Sequence, residues 1–208
     1  MTSLRRLNIS LEDGADGSAQ QEIEYTFFAR VTDFEWQAKA ASQEKQEQWE
    51  SYRETGEGRF AQCRVRAIDD KVYHACVKAK RPGELGKVEV EQVCTKDYFE
   101  IFKEFADKGL NKVRYIFPVE TDRHLKWEVD CYTTQAGEQH NWIKLDLEVK
   151  GQLAQIPEFP FEVVEVILRQ PADRTDLEKE QISKLFEEWT IKFEPAASAD
   201  ESSGGVQD

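Results

Sequence analysis

Long apolar runs are missing from this chain. No stretch approaches the roughly 18 apolar residues that a membrane-spanning helix needs, and Met1-Thr2-Ser3-Leu4-Arg5-Arg6 leads into polar sequence without the apolar core of a secretory signal. Cysteine is scarce and unpatterned. Cys63, Cys76, Cys94 and Cys131 include no Cys-x-x-Cys pair, so their spacing suits neither a zinc knuckle nor a dense disulfide framework, and a reduced, cytoplasmic setting is expected. Histidine is scarcer still: His74, His124 and His140 are scattered and form no Ser-His-Asp or Cys-His arrangement. Cations are outnumbered, with 28 Lys and Arg against 41 Asp and Glu and a net charge of −13. Such a surface repels duplex DNA and anionic membrane, and neither is an expected partner.

The 208 residues suffice for one compact domain. Residues 1–19 read as a flexible leader, 20–194 as the folded domain, and 195–208 as a disordered acidic tail. Alternation predicts strands near 22–30, 60–68, 71–80, 87–94, 111–117, 125–133, 141–150 and 162–169. Residues 34–50, rich in Ala, Gln, Glu and Lys and free of Gly and Pro, predict a helix. A second helix is predicted over 96–108, capped by Thr95, stopped by Gly109 and buried through Tyr98, Ile101, Phe102 and Phe105. Thr175 and Glu178 have capping-box spacing for a third, running to about 190, with Leu177, Leu185 and Trp189 on its apolar side. Ile156-Pro157-Glu158-Phe159-Pro160 reads as a rigid connector.

Charge falls on these strands at spacings of two, which places paired charges on one face. Arg64 and Arg66 form one such pair, and Lys78 and Lys80 another. Lys112 and Arg114 add a third cationic pair. The acidic pairs are Glu22 and Glu24, Glu89 and Glu91, Glu128 and Asp130, and Asp146 and Glu148. A solvated sheet face explains any one pair. Seven such segments with apolar opposite faces suggest an α+β fold in which a closed antiparallel β-barrel carries its helices outside and gathers the charges in one lumen. Carboxylates confined there need neutralising, by the Arg and Lys pairs or by divalent cations with oxygen ligands.

The order of these motifs resembles the triphosphate tunnel metalloenzyme (CYTH) superfamily. That group includes inorganic triphosphatases, thiamine triphosphatases, RNA 5′-triphosphatases and class IV adenylyl cyclases. Its opening Glu-x-Glu-x-Lys is similar to Glu22-Ile23-Glu24-Tyr25-Thr26, with Thr26 where the family has Lys. Its Arg-x-Arg resembles Arg64-Val65-Arg66, and its inward Lys strand resembles Tyr73 to Lys78. Its later motifs resemble Glu89-Val90-Glu91, Lys112-Val113-Arg114-Tyr115, Glu128-Val129-Asp130 and Asp146-Leu147-Glu148. The resemblance implies a hydrolase of a triphosphate-bearing substrate, either a small molecule or an RNA 5′ end, dependent on Mg²⁺ or Mn²⁺. Glu22, Glu24, Asp146, Glu148, Glu89 and Glu91 would serve the metal. Arg64, Arg66, Lys78, Lys80 and Arg114 would hold phosphate. Glu128 and Asp130 would act in catalysis, by binding a second metal or orienting the attacking water. Two alternatives stay open: a cyclase variant, and a non-catalytic module that binds a nucleotide, a polyphosphate or a protein partner through the 34–50 helix or the acidic tail.

Overall fold

A computed structural model describes residues 22–54, 60–80, 87–150, 156–168 and 175–193. The leader and the acidic tail lie outside the described residues. The fold is α+β: a ten-stranded antiparallel sheet with two α-helices. The strands are β1 (Glu22–Arg30), β2 (Ser42–Glu54), β3 (Phe60–Ile68), β4 (Val72–Lys80), β5 (Lys87–Cys94), β6 (Lys108–Val119), β7 (Asp122–Thr133), β8 (Gln139–Lys150), β9 (Glu165–Leu168) and β10 (Thr190–Ile191). Helix α1 spans Lys96–Phe105 and α2 spans Asp176–Trp189. The sheet order is β5-β4-β3-β2-β6-β7-β8-β1-β9, with β10 beside β6. Among the described residues the path ends at β5 and β9, which do not pair with each other, so the expected closure into a barrel is not formed. The closing candidate is short, since β9 covers only Phe27 to Arg30 of β1.

The predicted 34–50 helix is corrected outright. Glu35–Lys39 forms one 3₁₀ turn, and Ser42–Glu54 is a central strand between β3 and β6. Its residues are good helix formers, but pairing on both sides satisfies more backbone groups than an isolated helix would, and tertiary context overrides propensity. This segment is therefore not a docking helix.

Both predicted caps are present. Thr95 Oγ accepts from Tyr98 N, and Thr175 and Glu178 form a reciprocal capping box. Gly109, expected to stop α1, instead lies inside β6. A Cβ there would meet the Trp49 ring at 2.7 Å. Trp49 cannot easily yield, being 2% exposed and tied through Nε1 to Glu47 at 2.7 Å. Gly109→Ala is expected to cost about 1–3 kcal/mol by overpacking, read as a lower urea midpoint with an unchanged slope.

Pleating gives the sheet two unlike faces. The outer face carries Phe27, Trp127, Val129, Leu145 and Leu147, which pack with Trp36 of the 3₁₀ turn and with Phe159 and Phe161 of the 156–163 segment. Trp36 stacks on Phe161 at 4.1 Å, and Trp127 Nε1 donates to Glu158 O at 3.1 Å. Helix α1 covers Trp49, Val65, Ala67 and Tyr73 on the same face, through Phe99 and, less deeply, the expected Phe102. Tyr98, Ile101 and Phe105, expected in the core, are exposed, Phe105 by 75%. A ten-residue helix lying across β2, β3 and β4 buries only a narrow stripe.

Helix α2 departs from the expectation that every helix packs outside. Its Ile182, Leu185 and Trp189 cover Phe28, Leu110, Tyr132 and Trp142. These share the face of Thr26, Lys112, Asp130 and Lys144, so α2 lies over one end of the charged face. Trp189 stacks on Tyr132 at 4.0 Å. Leu177, expected on the apolar side, is exposed, and Ile182 takes that part of the core.

Candidate functional site

The inner face is built by register. From β1 to β2, Phe28, Lys144, Asp130, Arg114 and Glu44 stand opposite one another in turn. The next row holds Thr26, Asp146, Glu128 and Ile116. Further across, Glu50 faces Arg64, Gln48 faces Arg66, Cys76 faces Glu91, and Lys78 faces Glu89. Every predicted site position therefore falls on one face, including Glu22 and Glu24 of β1, Lys80 of β4 and Glu148 of β8.

Exposure of the charges is low for a surface. Asp130 is wholly buried, and Glu128, Asp146, Glu50 and Lys112 are buried too. The Arg64, Arg66 and Arg114 side chains keep less than a fifth of their area. Among the described residues, α2 covers one end of this face.

Asp130 is the centre of the network. Arg114 grips it with two parallel bonds, Nε to Oδ1 at 2.7 Å and Nη2 to Oδ2 at 2.8 Å, and Lys112 adds a third at 2.6 Å. Such paired contacts to a guanidinium are both strong and directional. Burial works to raise the Asp130 pKa, but Lys112, Arg114 and Lys144 outweigh it and hold the carboxyl well below the usual carboxylate range. Burial pushes the Lys112 ammonium down to about 8, against the pull of Asp130. Arg114 also donates to Glu128, which Lys126 contacts at 2.6 Å.

Asp146 accepts from Thr26 Oγ1 at 2.6 Å and from Lys144. Thr26 thus ties β1 to the Asp146 carboxylate of β8. Glu91 forms a separate group, contacting Arg64 at 3.5 Å, Arg66 at 3.0 Å and His74 at 3.2 Å. It holds cations of the inner face and stands far along the sheet path from Asp146.

Among the described residues no three His, Cys, Asp or Glu side chains form a group able to hold a metal. The side chains of Glu22, Glu24, Glu89, Glu148 and Lys80 lie outside the described residues; their backbones place Glu24 directly opposite Glu148. Register places the carboxylate positions Glu22, Glu24, Asp146 and Glu148 at this end of the face.

Sequence reasoning missed Lys144, Glu44, Gln46, Gln48 and Glu50 as site residues. The last four lie at alternate positions of β2, a pattern hidden by the helical composition of that segment. No disulfide joins Cys63, Cys76, Cys94 and Cys131, and burial pushes the Cys131 thiol up to about 12, far from a thiolate nucleophile at neutral pH.

Fold and site together define an α+β protein with a ten-stranded antiparallel sheet, one face of which holds a largely buried network of interlocked acids and bases. No family model matches the chain, nor does any curated protein or solved structure.

Proposed function

We propose that the inner face binds a triphosphate-bearing ligand as its Mg²⁺ or Mn²⁺ complex and hydrolyses the terminal phosphoanhydride. One observation supports the reading: register puts charged positions of seven strands on one face, and those described on β2, β3, β6, β7 and β8 include an interlocked, largely buried set. Arg64, Arg66, Lys78 and Arg114, with Lys80 near the strand end, would hold the phosphate chain. Glu91 and Asp130 are positioning residues that fix the guanidinium groups before a ligand arrives, so little reorganisation accompanies binding. Glu128, beside Arg114 and Lys126, would orient the attacking water. A divalent cation held by Glu22, Glu24 and Glu148 would neutralise charge on the phosphate oxygens.

A second reading, a binding module without catalysis, is favoured by one feature. Asp146 is occupied by Thr26 and Lys144, which leaves the usual motif lysine without an equivalent at position 26. The deciding assay is phosphate release from tripolyphosphate, ATP and 5′-triphosphorylated RNA, with and without Mg²⁺ or Mn²⁺, alongside cyclic AMP formation from ATP. Metal-dependent phosphate release is expected. Cyclic AMP would point to a cyclase. Binding without turnover of any substrate would establish the module, and absence of binding would end both readings.

A further inference from the structure

Helix α1 carries more apolar surface than the sheet uses. Tyr98, Ile101 and Phe105 recur at i, i+3 and i+7, a single stripe, and stay 50%, 59% and 75% exposed. The stripe is turned roughly a third of a turn from the buried Phe99. Lys103, on the opposite flank, reaches Glu47 of β2 at 2.6 Å, and Asp107, just past the helix, accepts from Ser51 Oγ at 2.9 Å. Helix α1 therefore crosses the outer face obliquely, with its apolar flank toward the part of β3, β4 and β5 that it leaves open. There Cys63, Val77 and Val90 stand opposite one another, one row beyond Val65 and Ala75, which α1 covers. Val77 and Val90 are each 47% exposed, and among the described residues no strand lies beyond β5.

Helix flank and strand row form a step, a wall about 10 Å high beside a floor about 10 Å wide from β3 to the edge strand. A step of these proportions fits a copy of itself, since the ridge of one molecule fills the recess of the other. The area fits as well. Whole aromatic side chains bury about 150–250 Å², so the exposed fractions of Tyr98, Ile101, Phe105, Val77 and Val90 leave roughly 500 Å² of apolar surface. A standard interface takes about 800 Å² from each partner, of which about 65% is apolar in homodimers. Charge opposes the contact, because two chains of net charge −13 repel.

We propose that this step is a homodimer interface, isologous about a two-fold axis, with Ile101 of each copy resting over Val77 and Val90 of the other. It lies on the opposite face of the sheet from the charged groups and is independent of the phosphate-binding reading.

Sedimentation velocity of the full chain over a hundredfold concentration range tests it. Wild type is expected to pass from monomer to dimer, and added NaCl should tighten the dimer by screening the repulsion. Ile101→Glu and Phe105→Ser should each raise the dissociation constant at least tenfold, the scale of an interface hot spot. Both positions are exposed, so circular dichroism and melting of the dilute monomer should match wild type. Leu177→Glu, at an exposed position of α2, should leave the dimer intact. Val77→Lys alone should weaken it, and mixing that variant with Ile101→Glu should restore association, because the two new charges meet only across the two-fold. A wild type monomeric at every concentration would overturn the proposal and leave the face to another protein or to the undescribed segments of this chain. A dimer that ignores Ile101→Glu and Phe105→Ser, or a mixture that stays monomeric, would overturn it equally.

Discussion

Asp130→Asn is expected to lower the unfolding free energy by about 3–5 kcal/mol, the range for removing one partner of a buried ion pair. Asparagine keeps the shape and removes the charge. Lys112 and Arg114 then remain buried against a neutral amide, with Lys144 close by. Urea denaturation at neutral pH gives the size of the loss. Adding Lys112→Met to Asp130→Asn should recover part of it, because one of the stranded cations is gone. An Asp130→Asn variant as stable as wild type would show that the network contributes nothing to folding.

The same residues set a pH dependence. The folded-state pKa of Asp130 lies below its unfolded value of about 3.9. Its stabilisation is present in full above that unfolded value and is lost as pH falls through the folded pKa, so wild type should weaken in acid more steeply than Asp130→Asn. Lys112 acts at the alkaline side. With a folded pKa of about 8 against an unfolded value of about 10.4, the unfolded chain binds more protons between the two, and this group makes stability rise with pH across that window. The slope should vanish in Lys112→Met.

Much of this face can be read from spacing alone. Charges at every second residue of Arg64-Val65-Arg66, Lys112-Val113-Arg114 and Glu128-Val129-Asp130 fix which side chains share a face, because the pleat has a period of two. Local signals worked where local chemistry decides, as at the Thr95 and Thr175 caps. Reading failed where distant chain decides. Ser42–Glu54 has helical composition and becomes a central strand because two neighbours pair with it. The bond between Thr26 and Asp146 joins residues 120 apart in sequence, and only register brings them together. The apolar stripe of α1 has helical spacing and Phe102 does pack against the sheet, yet the most buried contact is Phe99, and nothing in the spacing selects that residue over Tyr98. Closure into a barrel depends on edge pairing, which alternation within single strands cannot report.

Glu24→Gln is expected to reduce metal-dependent phosphate release by on the order of 10²-fold or more, the scale on which a divalent cation stabilises phosphoryl-transfer charge. The argument starts from register. Glu24 pairs directly with Glu148, and like charges directly opposite each other on antiparallel strands destabilise a sheet. A folded protein that retains such a pair needs a neighbouring positive charge to offset the repulsion. Lys144 and Lys112 contact Asp146 and Asp130, Arg114 contacts Asp130 and Glu128, and Lys150 stands opposite Glu22 on the neighbouring strand. The divalent cation proposed above would add positive charge at the Glu24 end. Two thermal readouts then move in opposite directions. In chelator, Glu24→Gln should melt at or above the wild-type temperature, because one of the facing charges is removed. In Mg²⁺ or Mn²⁺, wild type should gain stability by mass action and the variant should not. A variant that loses stability in chelator and still responds to metal as wild type does would place the metal elsewhere, and Glu24 would then be an ordinary residue of the strand end.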